Sequence, residues 1–407
     1  MSIKTVNVFL NHYNKKISVG KLAYKDRVIY FEYSAAFLDS ELQLSPYKLP
    51  LRRGVFVCDD NVFEGLFGLF GDSLPDGWGR LLLDRHFLKQ GIKYSEITPL
   101  DRLSYIGKYG TGALSFEPII DDILIKDTQE LHLDELSSTS MEILRGSSEE
   151  MIDNFLSLGG SSAGARPKVM IQLSDDKKEI IHAAQALQTG FTHYLVKFPS
   201  ATDTIDVGKL EYAYSLMAQD AKVEMSQTTL LSTEINSYFA TKRFDRNLDE
   251  RIHIHSVAGL AHSDFRIPTV DYDDLLTLTL DLTKDIKEQM KMFRLAVFNL
   301  YSHNRDDHAK NFSFLLNKEH IWKLAPAYDL TFSYGPGGEH STTYLGEGKN
   351  PTKEMLLNLA NKHNIKNAEL IINEIKSVID TFTDYAQKAG LNKSSIKSIS
   401  SILKQLN

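Results

Sequence analysis

Asn304-Arg305-Asp306-Asp307-His308-Ala309-Lys310-Asn311 places an aspartate five positions before an asparagine, and Leu324-Ala325-Pro326-Ala327-Tyr328-Asp329 adds a second aspartate downstream. Protein kinases use this arrangement. The first carboxylate accepts the proton of an attacking hydroxyl, while a carboxamide and a second carboxylate offer hard oxygen ligands to the magnesium that bridges the phosphates of ATP. On that reading Asp306 is the base, and Asn311 and Asp329 hold the metal. Asp307 is the second choice for the base, because it shortens the interval to Asn311. A rival reading gives a metal to His303 and His308, but magnesium on phosphate favours carboxylate and amide oxygens. The bland alternative is that aspartates after a helix act only as turn formers or caps.

Such chemistry needs a partner surface that grips phosphate. Leu158-Gly159-Gly160-Ser161-Ser162-Ala163-Gly164-Ala165-Arg166-Pro167-Lys168 is a run of small residues leading into a strand. Small side chains let backbone N–H groups approach phosphate oxygens. The run is neither a Walker A sequence nor G-x-G-x-x-G, so taken alone it reads equally well as a flexible turn. Lys197 ends the apolar stretch His193-Tyr194-Leu195-Val196-Lys197-Phe198. It stands between that loop and a following helix, where a kinase lysine pairs with phosphates and with a helical glutamate. Glu211 is the natural partner; an exposed lysine and a solvated glutamate are the alternatives.

The elements around these residues are legible in outline. Val6, Val8 and Leu10 alternate, as do Ile17 and Val19, then Val28 and Tyr30, which predicts antiparallel β-structure with a turn over Asn11 to Lys16. Ser73 or Asp76 caps a predicted helix through Leu81, Leu82, Arg85 and Leu88 that stops at Gly91. The polar stretch from Ser137 to Glu150 reads as a surface connection before a short helix around Phe155. Strands are predicted at Lys168 to Leu173, Ile180 to Ala184, Thr192 to Phe198 and Ser237 to Phe244. A helix begins near Asp206 with Leu210, Ala213, Tyr214 and Met217 on one face. Phe312 to Leu316 resumes as a strand after the Asp306 loop. Beyond Tyr272 the pattern is mostly helical, with Met290, Phe293, Val297 and Leu300, and later Ile371, Ile375, Val378, Phe382 and Tyr385, at helical spacing.

With 407 residues and 46.0 kDa the chain can bury a sizeable core and divide into two lobes or domains. Its 42% hydrophobic and 24% charged residues suit a soluble globular protein. A net charge of -7 gives no reason to expect avid nucleic-acid binding by this chain alone. Cys58 is the single cysteine, so an internal disulfide and a cysteine-based zinc site are excluded. No apolar run approaches the roughly 18 to 20 residues of a membrane span, and the first residues lack a signal-peptide hydrophobic region. A reducing cytoplasm is the expected location.

Taken together, these motifs resemble the HipA family, the serine/threonine kinase toxins of bacterial toxin–antitoxin pairs, over nearly the whole chain. Phe67-Gly68-Leu69-Phe70-Gly71-Asp72-Ser73-Leu74-Pro75-Asp76-Gly77-Trp78-Gly79-Arg80 is similar to the family's amino-terminal subdomain. Asp306, His308 and Asn311 match its Asp-x-His-x-Lys-Asn motif, and Asp329 its second metal aspartate. The resemblance implies an α+β, two-lobed, protein-kinase-like fold with a β-rich N-lobe, an extra N-terminal subdomain and a mostly helical C-lobe. The implied divisions are 1–135, 136–244 and 245–407. It further implies catalysis by Asp306 and His308, and ATP with Mg2+ held by Ser162, Ala163, Gly164, Ala165, Lys168, Lys197, Glu211, Lys242, Phe244 and Tyr328, with Asn311 and Asp329 on the metal. Lys242-Arg243-Phe244-Asp245-Arg246 looks like the segment joining the lobes. Autophosphorylation is implied at Ser161, three positions before Gly164, with the adjacent Ser162 as second choice. Arg166-Pro167 at the loop exit marks a subgroup, so the substrate does not transfer. The implied partners are a protein substrate, often of the translation machinery, and a HipB-like helix-turn-helix antitoxin that supplies most of the operator-DNA recognition. The rival functions are a small-molecule kinase of the aminoglycoside or choline type and an antitoxin-bound corepressor with little kinase activity.

Overall fold

The computed structural model describes residues 3–120, 131–147, 151–159, 164–201, 203–204 and 206–405. It opens with an antiparallel sheet of β1 (Thr5–His12), β2 (Lys15–Lys25), β3 (Val28–Tyr33), β4 (Val55–Cys58) and β5 (Leu114–Glu117), in the order β4-β3-β2-β1-β5. Val6, Val8, Leu10 and Val19 are buried, as the alternation predicts. The first turn is shorter than predicted. It is confined to Tyr13 and Asn14, whose φ of 46° and 62° suit a two-residue hairpin with the right-handed twist of its strands. On β3 the buried residues are Ile29, Phe31 and Tyr33 rather than Val28 and Tyr30. The side-chain period is two, so shifting the phase by one residue exchanges the faces.

Helix α1 (Gly77–Lys89) follows, then α2 (Pro99–Ile106). Of the two predicted caps, Asp76 takes the cap position of α1, but its side chain makes no bond to the helix. The predicted surface connection over 137–150 is largely helix: α3 (Leu133–Arg145) buries Leu133, Ser137, Ser140 and Ile143 and ends at Gly146 with φ 84°. Serines disguise this inner face as polar. Ser140 satisfies its hydroxyl within the helix, donating to the Ser137 carbonyl at 2.7 Å, so the face can be buried. Helix α4 (Ile152–Gly159) lies where the short helix around Phe155 is predicted.

The second sheet contains β6 (Lys168–Ser174), β7 (Ile180–His182), β8 (Phe191–Lys197), β9 (Thr228–Ser232) and β10 (Ser237–Lys242), ordered β7-β6-β8-β10-β9, with α5 (Val207–Asp220) against β9 and β10. Helices α1, α3 and α4 cover one face. Trp78, Leu82, Ile143 and Phe155 join Val169, Ile171, Val196 and Tyr238 in a single core. The C-terminal part contains β11 (His253–Ser256), helices α6 (Val257–Ala261), α7 (Tyr272–Thr283) and α8 (Ile286–Tyr301), then β12 (Ser313–Leu316) and β13 (Trp322–Leu324), the three strands forming a small antiparallel sheet. Four more helices complete the chain to Leu403.

The first sheet shares one continuous core with these C-terminal helices, from Val6 and Phe31 through Phe293 and Val297 to Ile375. The N-terminal region therefore braces both halves, its sheet against the C-terminal core and α1 against the second sheet. Backbones meet closely at the first of these contacts: a Cβ on Gly68 would lie within 2.7 Å of Gly259 backbone atoms. Among the described residues, no helix is long and apolar enough to cross a membrane.

Candidate active site

The side of the site that carries Lys168 and Lys197 is built from strand ends. Antiparallel pairing sets Lys168 of β6 opposite Lys197 of β8, so two ammonium groups share one face of the sheet. Lys197 Nζ donates to Glu211 Oε2 on α5 at 2.7 Å and to Asp329 Oδ1. Glu211 is 2% exposed and receives a second cation: Arg166 donates to its Oε1 at 2.6 Å and also pairs with Asp203 at 3.0 Å. Burial, and then the neighbouring Lys197, push the Lys168 ammonium down to about 8. For Lys197 burial acts in the same direction, but Asp329 and Glu211 overcome it and hold its pKa above the ordinary lysine value.

The opposite side is the loop after α8. Asp306 opens to the cleft, whereas Asp307 points inward and is 1% exposed. Asp307 accepts the Tyr272 hydroxyl at 2.8 Å, the Ser341 amide at 2.9 Å and the Thr342 amide at 3.2 Å, and pairs with His340 Nδ1 at 2.9 Å. Those partners leave it no access to a substrate, which removes the second choice for the base. Asn311 donates its Nδ2 to the Asp306 carbonyl at 2.8 Å. That bond closes the loop on itself and uses the Asn311 Nδ2, so the oxygen Oδ1 is the atom of this carboxamide that could serve a metal. Tyr328, in the segment after β13, fixes the loop, its hydroxyl donating to the Lys310 carbonyl at 2.5 Å.

Asp306 and Asp329 are held in opposite electrostatic environments. Enclosure by the protein, opposed by His308 and reinforced by Asp329 and Asp307, raises the Asp306 pKa above the usual aspartate value. Asp329 is also enclosed, but Lys197, Lys168 and Arg166 outweigh that effect and keep its carboxyl well below the usual range. The two carboxyls are thus shifted in opposite directions, a pattern that general acid–base sites use. Asp329 adopts φ 58°, a left-handed conformation that aspartate tolerates better than most residues.

The remaining predicted residues are placed as follows. Gly164 and Ala165 lie at the loop exit beside Asp76, Gly77 and Trp78. Phe244 and Tyr328 form a ring pair with centroids 5.5 Å apart. Lys242 ends β10 with an exposed side chain, and among the described residues the structure does not bring it to the other predicted site residues. His308 has its ring 5.7 Å from that of Phe265 and a buried Nδ1 without a protein partner. His303 turns away from any shared metal with His308, pairing its Nδ1 with the Ser333 carbonyl at 2.9 Å and stacking on Phe332. Ser161, Ser162 and Ala163 lie outside the described residues.

Two residues at the site escape sequence reasoning. Arg166 is legible there only as a loop-exit residue, and Asp76 only as a cap; both derive their roles from partners distant in sequence. Cys58, Asp60 and His262 bring ligand atoms within 4.8 Å of one another, a mixed group with one cysteine. Its His262 is already engaged, with Nδ1 accepting the Gly68 amide at 3.2 Å and Nε2 meeting Asp60 at 2.8 Å.

The sequence profile of the HipA-like C-terminal domain matches residues 160–389, more than half the chain, and that of the HipA N-terminal domain matches residues 8–117. The chain belongs to the HipA family. A Haemophilus influenzae protein named a putative kinase is 26% identical over 255 residues, covering 58% of this chain and 69% of that protein. Among solved structures, HipA of the Shewanella oneidensis MR-1 toxin–antitoxin system, determined with HipB and its operator DNA, superposes with a TM-score of 0.70 at 16% identity, covering 98% of this chain and 95% of that one. That likeness establishes the fold: α+β and two-lobed, as kinases are, with a β-rich lobe, an additional N-terminal part and a largely helical C-terminal lobe.

Proposed function

We propose that this HipA-family chain transfers the γ-phosphoryl group of ATP to a serine or threonine hydroxyl on a protein. The observation that carries the reading is the meeting of Lys197 with both Glu211 and Asp329, which links the second sheet, α5 and the C-terminal half at one point. Asp306 faces the acceptor hydroxyl and takes its proton. His308 stands beside it and lowers the cost of its negative charge. Lys197 and Lys168 meet the phosphates, with Phe244 and Tyr328 flanking the base. The Oδ1 of Asn311 and the second carboxylate oxygen of Asp329 are hard donors that fit magnesium. Bound there, the ion would neutralise phosphate charge. Positioning and electrostatics supply most of the rate in such chemistry.

Family membership and the likeness to a HipA solved with HipB support a toxin of a toxin–antitoxin pair, restrained by a HipB-like helix-turn-helix antitoxin that also carries operator recognition. The absence of a membrane-crossing helix among the described residues fits action in the cytoplasm. Ser161, with Ser162 as second choice, is the site of self-phosphorylation. A phosphate there adds about -1.5 to -2 charge to a loop meant to receive phosphate, and would expel the nucleotide. Phosphopeptide mass spectrometry after brief expression tests these statements together. Wild type should label a cellular protein and the Ser161 peptide, whereas Asp306→Asn should lose both by orders of magnitude while still binding ATP. Equal labelling by the variant would refute the assigned base. Labelling of metabolites in place of protein would favour a small-molecule kinase.

A further inference from the structure

An aspartate at a helix cap ordinarily spends its carboxylate on the helix's own first amides. Asp76 does not; no capping bond forms. Its Oδ1 accepts the amide of Gly164, at the exit of the small-residue loop, and its Oδ2 accepts Lys310 Nζ at 2.7 Å, from the loop that carries Asp306 and Asn311. The next two residues complete the grip. Trp78 donates its amide to the Gly164 carbonyl at 3.0 Å. Gly77, at φ 43°, lies so close that a Cβ would come within 2.6 Å of Ala165 Cα and the Gly164 oxygen. Gly164 is thus held at both its amide and its carbonyl by a segment outside the nucleotide-facing sheet. Lys168 Nζ stands so close to Gly164 that a side chain there would collide with it.

The pair is sheltered. The Asp76 and Lys310 side chains are 17% and 11% exposed, so their attraction is screened far less than that of a surface pair. Lys310 also lies 4.2 Å from the Phe265 ring centroid, which restricts where its ammonium can go. Asp76 thereby joins two loops from opposite sides of the cleft: one that would cradle phosphate and one that would activate the hydroxyl.

We propose that Asp76, with Gly77 and Trp78, is a positioning device for phosphoryl transfer, setting Gly164 and Ala165, ahead of Lys168, and the Lys310 ammonium relative to each other. The N-terminal region is then a working part of the centre rather than an attachment to it. This rests on the phosphoryl-transfer reading given above.

Asp76→Asn keeps an acceptor for the Gly164 amide and removes the charge opposite Lys310. Steady-state transfer by this variant should show kcat reduced by about 10- to 100-fold, with a smaller change in KM for ATP. The double variant Asp76→Asn/Lys310→Met should be no worse than Lys310→Met alone, because the two residues act as one unit. A kcat within about twofold of wild type, or losses that multiply in the double variant, would overturn the proposal. Hydrogen exchange across residues 164–168 supplies a readout independent of activity, and Gly77→Ala a variant that leaves the ion pair intact. Both variants should exchange faster there than wild type, with unchanged protection in the C-terminal core. Wild-type exchange rates in both would refute the clasp. If the clasp variants loosen the loop but wild type transfers no phosphate, the functional reading fails and the clasp stands.

Discussion

The two sides of the cleft are fixed by different physics. On the hydroxyl side, Asp307 is buried and saturated by Tyr272, His340 and two backbone amides, so the loop carrying Asp306 is determined before any ligand arrives. On the side of Lys197, Arg166 pairs with Asp203 and Glu211 and Lys197 with Glu211 and Asp329, so Arg166, Lys197 and Glu211 each serve two partners. A buried, fully hydrogen-bonded network specifies one geometry, whereas a cluster whose outer members Arg166 and Asp329 are 29% and 34% exposed has more freedom at its rim. On the proposed reading, the side that holds the acceptor base is the rigid one, and the side that admits the triphosphate is the adjustable one.

The largest effects should separate these two roles. Asp307→Ala leaves several buried donors unpaired at about 1–3 kcal/mol each, so stability should fall by about 3 kcal/mol or more. Displacement of the neighbouring Asp306 should also lower transfer about 100-fold. Lys197→Met should abolish transfer at least as completely, yet cost less stability, because Glu211 keeps its 2.6 Å pair with Arg166. Chemical denaturation read beside kcat checks both. Equal stability losses in the two variants would erase the distinction between a rigid side and an adjustable one.

The same division explains what the sequence discloses. The Asp306–Asn311 spacing is local, and a single loop places both groups, so the motif is readable from the residues alone. Lys197 and Glu211 are readable by order, because a strand followed by a helix brings their ends together; the 2.7 Å bond agrees with that reading. Asp306 and Asp307 are chemically identical neighbours, and only the partners of Asp307, brought from α7 and from residues 340–342, tell them apart. Asp76 and Lys310 are 234 positions apart, and nothing local distinguishes Asp76 from an ordinary cap. Helix α3 was hidden for another reason: its inward face is partly serine, and hydroxyls satisfied inside a helix look like a loop in one dimension. The phase of β3 is not legible because Val28-Ile29-Tyr30-Phe31 is apolar at four successive positions, so alternation marks no face.

A smaller effect sharpens the picture of the adjustable side. Lys168 is pushed down to about 8 by burial and by Lys197, so near that pH only part of the population carries the charge. A triphosphate beside it favours the ammonium, and binding should then take up a proton. Calorimetry of ATP binding at about pH 8, in buffers of different ionisation enthalpy, should show net uptake that fades towards about pH 6 and disappears in Lys168→Met. Binding without proton uptake at the higher pH would place Lys168 away from the phosphates.

The smallest effect is a difference in sign between two carboxylates of one cleft. The Asp306 pKa is raised in the fold, so at neutral pH its charge is held less favourably than in the unfolded chain, and stability rises as pH falls through the folded value. Asp329 is the reverse: its depressed pKa contributes stability that is present above the unfolded value and lost as pH falls through the folded one. Asp306→Asn should therefore raise the thermal midpoint at neutral pH by a few degrees at most, reduced by the exposure of that side chain, while Asp329→Asn lowers it. Functional sites commonly trade stability for chemistry, and a base that destabilises its own fold is one form of that trade. If both variants shift the midpoint in the same direction, the two carboxylates do not have the opposed environments that separate proton acceptor from fixed anion, and the assignment of their roles loses its electrostatic basis.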